Sequence, residues 1–247
     1  GARAGWHRGA PRGPVRHVTA RPDRNGPQVI PQPEGRRQGG AAPWAELADR
    51  KVTLEMVAGS LGRYRPRRIG RSGAGPPERT AAVLVPLYEV DGRATVLLTR
   101  RSPRLRSHSH EVSFPGGGHD PVDTDHWATA LREAEEEIGL DPMLPRRLGE
   151  LDTRVTVGSR SWIHPYVAAL DEPPDLVADR GEVELILHVP LDDLVGDDVF
   201  SEELWPIGGS LRAITFFELA GDTVWGATAS MLRQLLCLAL GVEDRQQ

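Results

Sequence analysis

The feature that most constrains this chain is a helix crowded with carboxylates at the end that disfavours them. Residues 114–140 read FPGGGHDPVDTDHWATALREAEEEIGL. In the second half, Trp127, Leu131, Ala134 and Ile138 recur at i, i+4, i+7 and i+11, the spacing of one apolar helical stripe. Glu133, Glu135, Glu136 and Glu137 gather near the end of that helix. Like charges three and four residues apart repel by roughly 0.2–0.5 kcal/mol per pair. Carboxylates also oppose the negative end of the helix dipole. Such a helix calls for a compensating cation.

Glu133, Glu136 and Glu137, at i, i+3 and i+4, are expected to converge on one face. Three hard oxygen donors suit Mg²⁺ or Mn²⁺, which keep coordination positions open for water and substrate phosphates. Arg132 lies one turn before Glu136 and is placed to hold that carboxylate in a fixed orientation. Upstream, Pro115 and the glycines at 116, 117 and 118 permit a tight turn and close approach of the backbone to a ligand. A carbonyl of that loop, that of Gly116, is expected to complete the metal's shell.

Arg132-Glu133-Ala134-Glu135-Glu136-Glu137-Ile138-Gly139-Leu140 resembles the REUxEExGU core of the Nudix hydrolases, U being a bulky apolar residue, and the preceding Gly-Gly loop is similar as well. Two departures stand out. Thr124 holds the place of the box's first Glu when counted back from Arg132, and the loop from Gly117 is one residue longer than the common form. The resemblance covers residues 79–242. It implies an α/β fold, an α/β/α sandwich with a mixed β-sheet between helices and the box as loop–helix–loop. It also implies Mg²⁺- or Mn²⁺-dependent hydrolysis of a nucleoside diphosphate linked to another group, with Glu133, Glu136, Glu137 and Gly116 at the metal. Arg132 supports the chemistry, and the proton acceptor is either Glu136 or Glu182.

Between the first hairpin and the glycines lie Arg100, Arg101, Arg104, Arg106, His108 and His110. A basic loop beside a metal site suits a polyanion, because Arg pairs with phosphate oxygens in forked geometry. This loop resembles the narrower signature of the coenzyme A diphosphatase branch: LLTxRS, an Arg, a Gly, then FPGG. Leu97-Leu98-Thr99, Arg101-Ser102, Arg106 and Phe114-Pro115-Gly116-Gly117 match its spacings, while His110 occupies the Gly position. If that position needs positive φ, a His there is strained. The branch implies cleavage of coenzyme A to 4′-phosphopantetheine and adenosine 3′,5′-bisphosphate, with Arg101, Arg106 and Gly117 at the substrate. The alternatives are another nucleotide (NADH, ADP-ribose or a dNTP), or a non-catalytic Nudix-like module that binds a nucleotide or RNA. Three mutually repelling carboxylates have no use in a binding-only site.

The remaining chain narrows the possibilities further. Net charge is −5, yet residues 1–40 carry eight Arg against Asp23 and Glu34. Lys51 is the sole lysine, so the Arg excess reflects residue preference across the chain and not a nucleic-acid surface. Residues 1–42 are Gly-, Pro- and Arg-rich without apolar periodicity and read as a flexible arm. Residues 43–78 read as a helical segment, with Trp44, Leu47, Leu54 and Val57 available to pack, followed by a linker, and 79–242 as the hydrolase domain. Strands are expected at 81–90 and 93–99 around Asp91-Gly92, a tight-hairpin signal. Others are expected at 153–157 and 162–170 around Gly158-Ser159, and at 216–219, with a closing helix at 229–240. Cys237 among leucines reads as a buried helix position and not a catalytic thiol. The four histidines 108, 110, 119 and 126 lack zinc-ligand spacing, and the glycines match neither a dinucleotide-binding fingerprint nor a P-loop. With no membrane-length apolar run, no signal-peptide pattern and one cysteine, the expectation is a cytoplasmic protein binding a small molecule, without nucleic-acid or membrane partners, and open to homodimerisation.

Overall fold

The computed structural model describes residues 16–17, 26–67, 79–155 and 161–245. Two short strands, β1 (Arg16–His17) and β2 (Arg37–Gln38), precede helix α1 (Leu54–Arg63). Of the expected arm, residues 1–15 and 18–25 lie outside the described residues. Within the remainder, β2 pairs with Glu203 and Leu204, and Gln28 Nε2 donates to the Thr223 carbonyl at 2.8 Å. The helix expected from residue 43 begins only at Leu54, where the Thr53 hydroxyl accepts the Met56 N–H at 3.2 Å. Trp44 is fully buried all the same, against the rings of Phe200 and Phe217. Its spacing to Leu47 marked burial without marking helix.

The central sheet begins with β3 (Arg79–Val90) and β4 (Arg93–Arg101). They are joined at Asp91 and Gly92, both with positive φ (52° and 73°), as a two-residue turn matched to strand twist requires. Then come β5 (Val112–Ser113), β6 (Gly116–Gly118), α2 (His126–Ile138), β7 (Arg146–Glu150), β8 (Arg154–Val155) and β9 (Ser161–Ala169). They are followed by β10 (Val183–Pro190) and the short α3 (Leu191–Leu194). The expected turn at 158–159 lies outside the described residues. The nine strands run β1-β10-β4-β3-β9-β7, with β5 on β4, β6 on β3 and β8 on β9. The β3–β9 and β1–β10 pairs are parallel and the others antiparallel, so the sheet is mixed.

Pro86 sits inside β3, where a missing N–H would ordinarily break a ladder. It falls between Val83, the last residue paired to β6, and Leu87, the first paired to β4, so neither antiparallel ladder needs its N–H. This change of partner leaves room for the glycine strand β6 beside the first half of β3. Side chains of β3 alternate between two apolar layers. Ala82, Leu84 and Tyr88 meet Ala130, Ala134 and Ile138 of α2, whereas Val85 and Leu87 belong to the layer that includes Leu232, Leu235 and Leu236. Both faces of the sheet are covered, which explains the near-continuous apolar run in β3. The architecture is the expected α/β/α sandwich.

The chain ends in β11 (Phe200–Ile207), β12 (Ser210–Leu219), β13 (Asp222–Trp225) and α4 (Gly226–Leu240). The three strands and β2 form a second sheet ordered β13-β12-β11-β2. Cys237 is buried in α4, and burial pushes its thiol up to about 12, so it is no nucleophile at neutral pH. Among the described residues, no helix is long and apolar enough to cross a membrane.

Candidate active site

Helix α2 starts where the Asp125 side chain accepts the Ala128 N–H at 2.8 Å and stops at Gly139, whose φ of 66° is left-handed. Packing Ala130, Ala134 and Ile138 on the sheet turns Glu137 inward, where it is 3% exposed. Strand β6 lies antiparallel to the start of β3, with Gly116 opposite Val83 and Gly117 opposite Ala82. This brings the glycine loop against the carboxylates. The Gly116 N–H donates to Glu137 Oε2 at 3.2 Å. A Cβ on Gly117 would overlap the Glu133 carboxyl group, and one on Gly116 would overlap the Ala82 carbonyl. Glycine is therefore required at 116, where backbone would be struck, while a side chain at 117 would push the Glu133 carboxyl out of place.

Burial raises the Glu137 carboxyl to about 7; the charges of Glu133 and Glu182 add to the rise, against the lowering effects of the Gly116 N–H and Arg101. Burial likewise raises Glu133, with Arg132 opposing. Glu182, exposed just before β10, thus makes its charge felt at both carboxylates. Its backbone carbonyl accepts the Ser102 N–H at 2.7 Å.

The expectation that Glu133, Glu136 and Glu137 converge needs correction. Glu133 and Glu137 face the glycine loop, while the Glu136 side chain is 60% exposed and lies on Arg132 at 3.0 Å. The reason is geometric: residues one apart on a helix diverge by about 100°, so Glu137 turns inward while Glu136 stands at the rim, sharing Arg132 with Glu133. Among the described residues, no group of three His, Cys, Asp or Glu side chains is arranged to hold a metal ion. The donors are nevertheless chemically suited to Mg²⁺ or Mn²⁺, being hard oxygens in a crowded, partly desolvated set. At Gly116 the N–H is the group that ties the loop to Glu137.

Arg132 does more than orient Glu136. Its guanidinium lies 2.9 Å from Glu133, donates to Glu136 and the Gly118 carbonyl, and forks onto Asp123 at 2.9 and 3.1 Å. Asp123 was missed in the sequence. Its side chain is 4% exposed and also accepts from the Thr129 hydroxyl and the Asp120 N–H. The Arg132 hydrogen bonds hold its carboxyl well below the usual carboxylate range. Counting from the Arg points to Thr124, but the lengthened loop moves the carboxylate one residue upstream; counting six residues from Gly117 would have found it.

The basic segment divides. Arg101 sits 3.8 Å from Glu137, and its buried Nε has no hydrogen-bond partner. Arg106 is exposed, with no ion pair among the described residues. Arg100 is structural, bound to Glu184 at 3.1 Å and to both Asp222 oxygens. His110 has φ of 62°, so the position where the signature has Gly is left-handed here with a side chain in place.

A family profile described as NUDIX domain matches residues 78–207. The chain is 36% identical over 157 residues to an uncharacterised Nudix hydrolase, NudL, of Photorhabdus laumondii, covering 64% of this chain and 83% of that protein. It is 34% identical over 152 residues to the peroxisomal coenzyme A diphosphatase NUDT7 of Mus musculus, covering 62% and 64% respectively. Among solved structures it resembles a C. elegans Ap4A hydrolase binary complex, at 23% identity and a TM-score of 0.40, over 49% of this chain and 85% of that one.

Proposed function

This chain belongs to the Nudix hydrolase family, and on that premise we propose that it is a Mg²⁺- or Mn²⁺-dependent diphosphatase that takes coenzyme A or a close derivative. The family supports the reaction type, cleavage of a phosphoanhydride in a nucleoside diphosphate linked to another group. One observation carries the site assignment: a desolvated Glu133–Glu137 pair at a glycine loop, faced by the Arg101 guanidinium with an unpartnered buried nitrogen.

Glu133, Glu136 and Glu137 would hold the metal, with the Gly116 carbonyl as a further donor. When bound, the metal neutralises diphosphate charge and lowers the pKa of water. Arg132, fixed by Asp123, orients Glu133 and Glu136. Glu182 accepts the proton of the attacking water. It is favoured over Glu136 because the Glu136 carboxylate is already engaged by Arg132, whereas Glu182 stands exposed beside the Glu133–Glu137 pair. Arg101 binds a diphosphate oxygen, Arg106 reaches a further phosphate, and Gly117 lets the substrate lie close to the backbone.

Coenzyme A is supported by the LLTxRS…FPGG pattern and by the likeness to a coenzyme A diphosphatase. A second reading, another nucleotide such as NADH, ADP-ribose or a dNTP, is favoured by His110 in place of the signature glycine. The test is a panel of these compounds with Mg²⁺ or Mn²⁺ and products identified by mass. The proposal expects 4′-phosphopantetheine and adenosine 3′,5′-bisphosphate from coenzyme A. Brisk cleavage of another compound without coenzyme A cleavage would favour the second reading. Binding without turnover across the panel would favour a regulator and overturn both.

A further inference from the structure

His110 spends a strained backbone conformation on a side-chain contact. Its φ of 62° is one that glycine adopts freely and a side chain does not. Its imidazole Nδ1 lies 3.1 Å from Glu184 Oε2, and since an ionised carboxylate only accepts, the imidazole donates. The same Glu184 oxygen accepts Arg100 Nε at 3.1 Å, and Arg100 is anchored on the buried Asp222. Glu184 stands two residues beyond Glu182, at the irregularity between Val183 and Leu185 where β10 begins to pair with β4.

The segment leaving β4 is therefore tied to the Glu182 strand twice. Near its start, Ser102 N–H donates to the Glu182 carbonyl; at its end, His110 donates to Glu184. The mouth is closed by the His110 N–H on the Arg101 carbonyl at 3.1 Å. Arg104 and Arg106, exposed, stand on the stretch between these ties.

We infer that His110 is a positioning residue: by pinning the 102–110 segment to β10 through Glu184, it sets where the arginines of that segment meet the substrate. The inference rests on the diphosphatase reading above. It goes beyond that reading by giving the residue that departs from the signature a use of its own. Glycine there would keep the backbone and lose the pin.

The test uses three variants of the full chain. His110→Gly relieves the backbone, so folding is retained. Hydrogen exchange of the amides of residues 104–109, measured without substrate, should speed up while α2 and β3 stay unchanged. On the best substrate of the panel, KM should rise about tenfold with kcat within about twofold, the mark of a lost charge-assisted contact that places substrate. His110→Asn tolerates the left-handed backbone and sets an amide nitrogen where Nδ1 stands, so it should recover most of that loss. Glu184→Ala combined with His110→Gly should cost no more in KM than Glu184→Ala alone. Unchanged exchange, or an unchanged KM in His110→Gly, would overturn the inference while leaving the diphosphatase intact. No turnover by the wild type on any substrate would sink the diphosphatase reading itself, and the role of His110 in KM with it.

Discussion

Asp123→Ala tests whether the carboxylate missed in the sequence secures the catalytic helix. The Asp123 side chain is 4% exposed and receives two hydrogen bonds from Arg132, one from the Thr129 hydroxyl and one from the Asp120 N–H. Breaking a fully buried ion pair by deleting one member costs about 3–5 kcal/mol. Here Arg132 is 27% exposed and keeps Glu133, Glu136 and the Gly118 carbonyl, so the loss should be smaller, about 2–3 kcal/mol. Asp123→Asn keeps the shape but not the charge and should lose about 1–2 kcal/mol. The sign of the pH dependence follows from the lowered carboxyl. A group whose folded pKa lies below its unfolded value of about 3.9 contributes fully above that pH and loses its contribution as pH falls toward the folded value. Urea unfolding at pH 7 should show the full gap between wild type and Asp123→Asn, and at pH 3 a narrower one. A loss below about 0.5 kcal/mol for Asp123→Ala at pH 7, or a gap that widens in acid, would refute the assignment.

Two further changes probe the loop and the substrate. Gly117→Ala should displace the Glu133 carboxyl and lower kcat by at least about tenfold with the fold retained, checked by steady-state rates and circular dichroism; a normal rate would mean that Glu133 works from another position. If coenzyme A is the substrate, Arg106→Ala should lower kcat/KM for it about ten- to a hundredfold but much less for dephospho-coenzyme A, one charge-assisted contact to the 3′-phosphate being worth about 1.5–3 kcal/mol; equal losses on both would place Arg106 at the diphosphate or in the loop's support.

What the sequence disclosed follows from how local each signal is. The α2 stripe and the Asp91-Gly92 turn are set by neighbours within a few residues, and both appear as expected. The hairpin between β11 and β12 was missed although Gly208-Gly209, with φ of 61° and 81°, carries a comparable signal. Pro206 and the Glu202-Glu203 pair had obscured its alternation. Arg146 and Arg147 likewise hid β7, which among the described residues pairs only with β9 at the edge of the sheet and so tolerates charge. Asp123 was open to spacing counted from Gly117, whereas the Arg100–Glu184–His110 link depends on how distant segments meet, which neither spacing nor periodicity reports. The three box glutamates were legible as a set, but not the fact that Glu136 stands exposed at the rim on Arg132 while Glu137 is buried.

The most direct measurement is the Mg²⁺- or Mn²⁺-dependent rate of phosphoanhydride cleavage by wild type and Glu137→Gln, with urea unfolding of both. Glu137 is buried, and its charge is crowded by Glu133 and Glu182, so removing that charge should leave stability equal or higher. Metal polarisation contributes several kcal/mol to the transition state. With about 1.4 kcal/mol per factor of ten, the variant should lose at least about a hundredfold in kcat. A folded Glu137→Gln with wild-type turnover and unchanged metal dependence would contradict the account at its centre.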